Sequence, residues 1–385
     1  MTHQKNTAFS NTTADELEPG PHLLRTVEME CPKSTATELP DTVVNALRAK
    51  QGFSLLLPRD LGGKQPSFPT FIEFAQSVAT ADGSAGWCVT QGSVLSSLAR
   101  FLPTDIAKSV WTTPDISLAN GPKIKSTTVK VKDSFILSGS WWFSSGINHA
   151  TWLLGVATLK KKKDAETAIW HLFKKSEAQI VENWNVAGLR GTGSYQFDVK
   201  ELQVPESMTF EVKIRKEDPP LYQIPLNLMF ACGFAAVALG ISRSALDFAK
   251  KRVKTKIKRM ETKKMSEDVL TQDQIGRAEA LWQSANLYLK TQVQKVWHDI
   301  CEDSYCSLEN RIHLRLAGTH TIHQAKAVTD LVYNLCSTDS ILQTNDLQKR
   351  FQDIHVISQH MQGRPEIYSL VGRHYLDLPI KSHLL

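Results

Sequence analysis

Long hydrophobic runs are missing from this chain. The longest apolar stretch, "FACGFAAVALGI" at residues 230–241, is too short to span a bilayer and reads as a buried helix. No apolar segment with a cleavage pattern opens the sequence, so a soluble, cytoplasmic protein is expected, with no membrane partner. The six cysteines (Cys31, Cys88, Cys232, Cys301, Cys306, Cys336) follow no framework spacing and are expected to be reduced thiols. No glycine-rich fingerprint follows a strand pattern. "GTGS" at residues 191–194 is too short to cradle phosphates, so a nicotinamide dinucleotide is not expected to bind here. His298, Cys301, Cys306 and His313 fit no common zinc spacing. His320 and His323 lack a third ligand. The net charge of +6 is mild and comes partly from local lysine clusters, which argues against nucleic acid as a general partner. There is no internal repeat and no low-complexity segment.

What remains is an ordinary globular composition, 42% apolar and 22% charged over 385 residues, enough for two or three compact units. The first 30 or so residues are polar and without period, as a loosely ordered arm would be (1–30). A helical unit is predicted at 31–114. "DTVVNALRAKQGF" is amphipathic with Asp41 near its start, "LLPRDLGGKQPS" is a breaker-rich loop, and helical patterns return in "PTFIEFAQSVATAD", "SAGWCVTQGSVLSSLARFL" and "TDIAKSVW". From about Ile116 the period switches to two. "TTVKVKDSFILSGSWWF" alternates around a turn at residues 132–134, and "TWLLGVATL", "AIWHLFKK" and "SYQFDVKELQVP" extend a β unit over 115–215. The lysine run at 160–163 reads as a solvated hairpin tip between two strands. Residues 216–385 are helical by pattern. Long helices are predicted over 221–260, 267–300, 308–337 and 345–362 with short linkers, which is the pattern of a four-helix bundle. The basic stretch at 250–259 is either a solvated helix end, where lysines complement the dipole, or an anion site.

One segment fits neither a plain core nor a plain loop. "LSGSWWFSSGINHATWLLGVA", residues 137–157, sets Trp141, Trp142 and Trp152 beside Ser144, Ser145, Gly146 and His149. With its neighbours it resembles the acyl-CoA dehydrogenase superfamily. "LLPRDLGG" (56–63) resembles that family's first Pro…Gly-Gly loop, and "DGSAGW" (82–87) the start of its second long helix. "GLRGTGSYQFDVKELQVPES" (188–207) resembles its Gly-Leu-Arg-x-Thr-x-Ser turn and strand, and "QIGRAEALWQSANLYL" (274–289) a helix of its third domain. Within the superfamily, Trp-x-Phe-Ser-Ser-Gly followed by His and Trp resembles the oxygenase components of two-component flavin-dependent monooxygenases. "LQKRFQDIHVISQH" (347–360) and "IYSLVGRHYLDL" (367–378) resemble the same branch's closing signatures.

The resemblance implies an α+β fold: an N-terminal helical domain, a central β-sheet or barrel domain and a C-terminal four-helix bundle. It implies an enzyme that takes reduced FMN or FAD from a separate flavin reductase, reacts it with O2 to a C4a-hydroperoxyflavin, and hydroxylates a small organic molecule, aromatic or amine. The family's members are homotetramers. Such chemistry needs a dry pocket, and Trp87, Trp141, Trp142 and Trp152 are candidates for its wall or for packing between sheet and helices. Ser144 falls where the superfamily places its contact to flavin N5, and a rotating hydroxyl serves either redox state. Phe143 and Ser145 belong to the same motif, Ser145 either touching the flavin or capping the turn. Asn120 and Gly121 approach the ring or form a strand-end turn. His360 is the acid/base candidate, with an ordinary pKa suited to neutral pH. His355 lies off its face, and His149 reads as a structural loop residue. The basic stretch at 250–259 is a candidate for a flavin phosphate, across a subunit boundary. The sequence departs from the branch at Leu95, where a histidine is common, at Cys336 and Ser337, where a small Ala-Gly pair is expected, and in lacking a dehydrogenase's catalytic glutamate. An acyl-CoA dehydrogenase-like flavoenzyme and a catalytically diverged member are the alternative readings.

Overall fold

The structure, a computed structural model, describes residues 18–31, 37–112, 115–160, 166–380 and 385. The expectation of a loose arm over residues 1–30 is corrected for its second part. Gly20–Glu30 form helix α1, with proline in the first turn, where no amide partner is needed, and with Leu23 and Val27 buried four residues apart on one face. The first 17 residues lie outside the described ones. Helix α2 (Asp41–Ala49) begins at its acidic residue, as predicted. In α3 (Phe68–Ala81) the Ser67 hydroxyl accepts from the Thr70 amide, and in α4 (Gly83–Ser96) the Asp82 carboxylate accepts from Ala85. Every residue of α4 is buried, so this helix has no polar face and runs through the middle of the molecule. A short α5 (Thr104–Val110) closes the unit.

Among the described residues eight strands follow: β1 (Leu118–Asn120), β2 (Lys123–Val131), β3 (Ser134–Trp141), β4 (Trp152–Lys160), β5 (Glu166–Lys174), β6 (Gln179–Val181), β7 (Gln196–Pro205) and β8 (Thr209–Phe210). They form two four-stranded sheets, ordered β1-β4-β5-β8 and β2-β3-β7-β6. Among these strands β1 runs parallel to its neighbour and the other pairs are antiparallel. The inner faces meet around Leu137, Trp141, Leu153, Phe173 and Phe197. The predicted hairpin turn is where expected, with Val131 opposite Ser134 and Lys132 in the left-handed region. Lys160 pairs with Glu166 across an antiparallel ladder, and the residues between them, where the solvated tip was expected, lie outside the described ones.

The bundle consists of α6 (Leu226–Val253), α7 (Val269–Asp303), α8 (Leu308–Cys336) and α9 (Asp346–Gln359), with a short α10 (Glu366–Tyr375) beyond it. The first helix is shorter than the predicted 221–260 at both ends. Pro219, Pro220 and Pro225 delay its start. Beyond Val253 the lysines at 250, 254 and 258 stand four apart, a like-charge spacing that disfavours further helix. Among the described residues one helix, α6, is long and apolar enough to cross a membrane, but 83% of its most hydrophobic window is buried inside the protein. It packs against α3 backbone to backbone: a side chain at Gly240 would stand 2.6 Å from the Gln76 carbonyl oxygen.

Candidate active site

Helix α4, the loop after β3, the start of α6 and the end of α9 converge on one buried cluster. The Trp87 indole stacks on Phe234 of α6, with ring centres 3.7 Å apart and planes 8° from parallel. The His360 ring stands edge-on to both, 5.2 Å from Trp87 and 5.0 Å from Phe234. The Trp87 Nε1–H donates to the Ser145 hydroxyl at 2.9 Å. Ser145 shares a 2.7 Å hydrogen bond with Ser194, and Ser194 another of 2.7 Å with Thr192. A chain of hydroxyls therefore ties the indole to the turn at 188–194. One turn along α4 from Trp87, the Gln91 side-chain amide donates to the Asn120 side-chain oxygen (Oδ1) at 2.8 Å, holding the end of β1.

Gly121 follows at once, and its backbone presses on the loop after β3. A Cβ there would sit 1.7 Å from the Trp142 carbonyl oxygen and 2.8 Å from the Ser144 Oγ, so only glycine fits. The Ser144 amide donates to the Tyr195 carbonyl, which anchors the residue. Its hydroxyl is fully buried and has no hydrogen-bond partner among the described residues. Buried hydroxyls are rarely left so, and one without a partner is the kind of group that a ligand satisfies.

Of the predicted residues, Trp87, Asn120, Gly121, Ser144, Ser145 and His360 belong to this region, through the contacts just described. Trp141 does not. It is fully buried between the sheets, stacked on Phe197 with its indole N–H on the Val156 carbonyl. The next residues turn outward, Trp142 by alternation and Phe143 where the strand has broken: Trp142 is 44% exposed and Phe143 53%, forming a surface group with Trp184. Phe143 takes a left-handed conformation, φ +52°, where the strand breaks into the Ser144–Ser145 turn. Trp152 packs in a separate cluster with Leu95, Leu98 and Leu118. Leu95 is completely buried there, so the position where a histidine was awaited is filled by core packing. His149 stacks on Phe53, while its carbonyl accepts from Arg48 and from Ser117, a loop-anchoring role. His355 pairs with Asp330 at 2.8 Å, away from His360.

Two expectations change in kind. His360 was expected to titrate near neutrality. Burial, and then the nearby guanidiniums of Arg315 and Arg364, push its pKa down to about 4, so it is a neutral imidazole at pH 7. The basic stretch at 250–259 is largely spoken for. Lys250 pairs with Glu279, Arg252 and Lys256 with Asp339, and Lys258 with Asp268. Among the described residues Lys251, Lys254 and Arg259 have no ion pair.

Sequence reasoning missed Phe234, Gln91, Ser194 and the ion cluster below the site. Phe234 stood in plain view in the apolar run 230–241, but nothing local separates a site wall from core. In the ion cluster, Lys349 of α9 lies 2.5 Å from Asp82 and 3.2 Å from Asp353, all beneath the start of α4. The other oxygen of Asp353 accepts the Leu189 amide at 2.5 Å, where Leu189 has φ +51°.

Comparison with known proteins agrees with this architecture. Residues 232–365 match the acyl-CoA dehydrogenase C-terminal domain. The chain is 29% identical over 322 residues to the indole-3-acetate monooxygenase of Pseudomonas putida, covering 83% of this chain and 82% of that one. It is 25% identical to the flavin-dependent monooxygenase oxygenase subunit HsaA of Mycobacterium tuberculosis, over 90% and 92% of the two chains. XiaF from a Streptomyces species, solved with FADH2 and glycerol, superposes with a TM-score of 0.88 at 19% identity over 95% of this chain and 96% of that one, a likeness of fold. Residues 232–365 thus match the acyl-CoA dehydrogenase C-terminal domain, and over more than four fifths of its length the chain is similar to monooxygenases that include a flavin-dependent oxygenase subunit.

Proposed function

We propose that this chain is the oxygenase component of a two-component flavin-dependent monooxygenase that hydroxylates a small organic molecule, aromatic or amine. It uses O2 and FMN or FAD reduced by a separate flavin reductase. The observation that carries this reading is the pairing of a buried hydroxyl without a partner, on Ser144, with a dry wall of Trp87, Phe234 and a neutral His360. The names of the relatives, indole-3-acetate monooxygenase among them, support an aromatic substrate.

The residues present fit a flavin. Ser144 would donate to or accept from the ring nitrogens, Asn120 and Gly121 would lie along its edge, and Trp87 with Ser145 would form the wall behind. When bound, reduced flavin supplies the activation of oxygen, which no side chain here can supply. The protein's part is position, dryness and one proton. The stacked Trp87–Phe234 pair keeps water out of the space beside His360. The Nδ1 of His360 accepts from the Gln362 amide at 3.3 Å, so the single proton of the neutral ring sits on Nε2. With its pKa near 4, His360 is a weak base. It acts as a hydrogen-bond donor from Nε2 rather than as a store of positive charge. The exposed Trp142–Phe143–Trp184 group and the unpaired Lys251, Lys254 and Arg259 suit an assembled homotetramer, in which a second copy would cover the aromatic group and the lysines would face a flavin phosphate. Localisation in the cytoplasm accords with six free thiols.

The test mixes purified protein with anaerobically reduced FMN or FAD and then with oxygenated buffer, with and without candidate phenols, indoles and amines. Slowed flavin oxidation and substrate-dependent loss of hydrogen peroxide release are expected. Protein that neither binds reduced flavin nor changes its oxidation rate would sink the reading. Protein isolated yellow and reduced by an acyl-CoA would assign it to the dehydrogenase chemistry instead.

A further inference from the structure

Arg315, on α8, is a buried cation with no acidic neighbour among the described residues. The residue is 3% exposed. Its Nη1 donates to the side-chain oxygen of Gln362 and its Nη2 to the Met361 carbonyl at 3.3 Å, while its Nε has no partner. Among the described residues no carboxylate lies within ion-pair distance. The titratable group facing it from α6 is Cys232, whose thiol burial pushes up to about 12, so it stays uncharged. A guanidinium held this way is expensive, because its desolvation is offset only by neutral hydrogen bonds. A methionine would fill the same space without that penalty, which argues that the charge and the fork have a use.

Both contacts of Arg315 fall on the short turn of residues 361–363 that follows His360. Two more side chains of α8 hold the same turn: the Thr319 hydroxyl donates to the Gln362 carbonyl at 3.0 Å, and the His323 Nε2 bonds the Gly363 carbonyl at 2.8 Å. From that turn the Gln362 amide reaches back to the His360 Nδ1. A backbone N–H can only donate, so this bond selects the tautomer with hydrogen on Nε2. Nε2 itself has no hydrogen-bond partner among the described residues.

We propose that Arg315 is the positioning residue of His360: by gripping Gln362 and Met361 it presents the Gln362 amide to Nδ1, which leaves Nε2–H as the one group of the ring free to meet a ligand. The role of that donor in turnover rests on the monooxygenase reading; the grip and the tautomer do not. The charged groups facing His360 are Arg315 from α8 and Arg364 from its own segment, and both act in the same direction. Arg364 would remain in an Arg315 variant, as would the burial, which is the larger effect.

The test uses protein labelled with 15N-histidine and free of flavin, assigned by comparison with His360→Gln. In the unsubstituted protein, the His360 nitrogen shifts should report the Nε2–H tautomer and a midpoint near 4. In Arg315→Met the tautomers should mix, and the midpoint should rise but stay below 6.5. Arg315→Lys keeps the charge but not the fork, so it should hold the midpoint low while still mixing the tautomers. That split separates charge from grip, and a merely structural arginine would produce neither change. Gln362→Leu removes the oxygen that Arg315 holds and keeps the amide; it should mix the tautomers as Arg315→Lys does. If Arg315→Met does not fold, Arg315→Lys and Gln362→Leu carry the test. A Nδ1–H tautomer in the unsubstituted protein, or variants with an unchanged tautomer and midpoint, would overturn the proposal. Because these readings need no flavin, they stand whether or not the protein proves to be a monooxygenase. With flavin and a substrate that turns over, Arg315→Lys should lower product formed per O2 by several-fold with little change in reduced-flavin Kd.

Discussion

At the scale of single residues, Ser144 and Gly121 make opposite demands that separate site from scaffold. A buried hydroxyl without a partner weakens the unliganded fold, so Ser144→Ala should leave the melting temperature unchanged or raise it. The same change should weaken flavin binding by about 1 kcal/mol, roughly five-fold in Kd, the usual worth of one hydrogen bond. Thermal unfolding and flavin titration on one preparation give both numbers, and a drop in Tm with unchanged binding would return Ser144 to the scaffold. Gly121→Ala should do the reverse. Its Cβ meets a backbone oxygen at 1.7 Å, so the loop after β3 must shift, and a loss of about 3 kcal/mol is expected in urea unfolding. The serine's role was legible in the sequence as part of a motif. Its lack of a partner was not, because that depends on Tyr195 and Gly121 arriving from other strands.

At the scale of elements, the turn at 188–194 is the piece that joins bundle to sheet. Asp353 of α9 clamps its start through the Leu189 amide, and Thr192 and Ser194 continue from it to Ser145 and Trp87. Asp353→Ala removes that clamp and one of the two carboxylates on Lys349. Breaking a buried pair from one side typically costs about 3–5 kcal/mol, so the variant should lose about that much in urea unfolding and should also bind flavin more weakly. Asp353→Asn keeps an oxygen for Leu189 and should lose less; equal losses in the two variants would place the clamp's worth in the ion pair alone. The elements themselves were largely readable in the chain, because prolines and caps mark helix ends and the period changes from 3.6 to 2 near Ile116. Helix α1 was not, since only Leu23 and Val27 mark its buried face. The aromatic stretch 141–152 was legible as special but not residue by residue. Alternation along β3 and the left-handed Phe143 send Trp141 inward and Trp142 outward, and a motif match carries neither fact. Pairings across tens of residues, such as Arg315 with Gln362 or Lys349 with Asp82, leave no mark in the local sequence at all.

At the scale of the whole molecule, burial lowers the pKa of five of the described histidines, His313 and His320 among them, and three lie furthest below their ordinary pKa, in three different places: His149 on Phe53 in the loop after β3, His171 on β5 between Thr128 and the Gly155 carbonyl, and His360 at the site. Burial is the leading cause in each, placing their pKa values at about 3, 4 and 4 against an ordinary 6.5. The sign follows from linkage. Between pH 6.5 and 4 the unfolded chain takes up protons at these rings while the folded chain does not, so stability is full above pH 6.5 and is lost as the pH falls. From pH 7.5 to pH 5 each ring should contribute a loss of about 2 kcal/mol, at about 1.4 kcal/mol per pKa unit. Urea unfolding at pH 7.5, 6 and 5 should therefore show a falling midpoint with a constant m-value, and a slope approaching three protons per pH unit near pH 5. His149→Phe tests the assignment. The ring of His149 stacks on Phe53 with no hydrogen bond of its own among the described residues, so phenylalanine should keep the packing and remove one proton from the slope. A flat stability between pH 7.5 and 5, or a slope unmoved by His149→Phe, would mean that these rings are protonated inside the fold and that the interior is far wetter than the packing around Trp87, Phe234 and His360 requires.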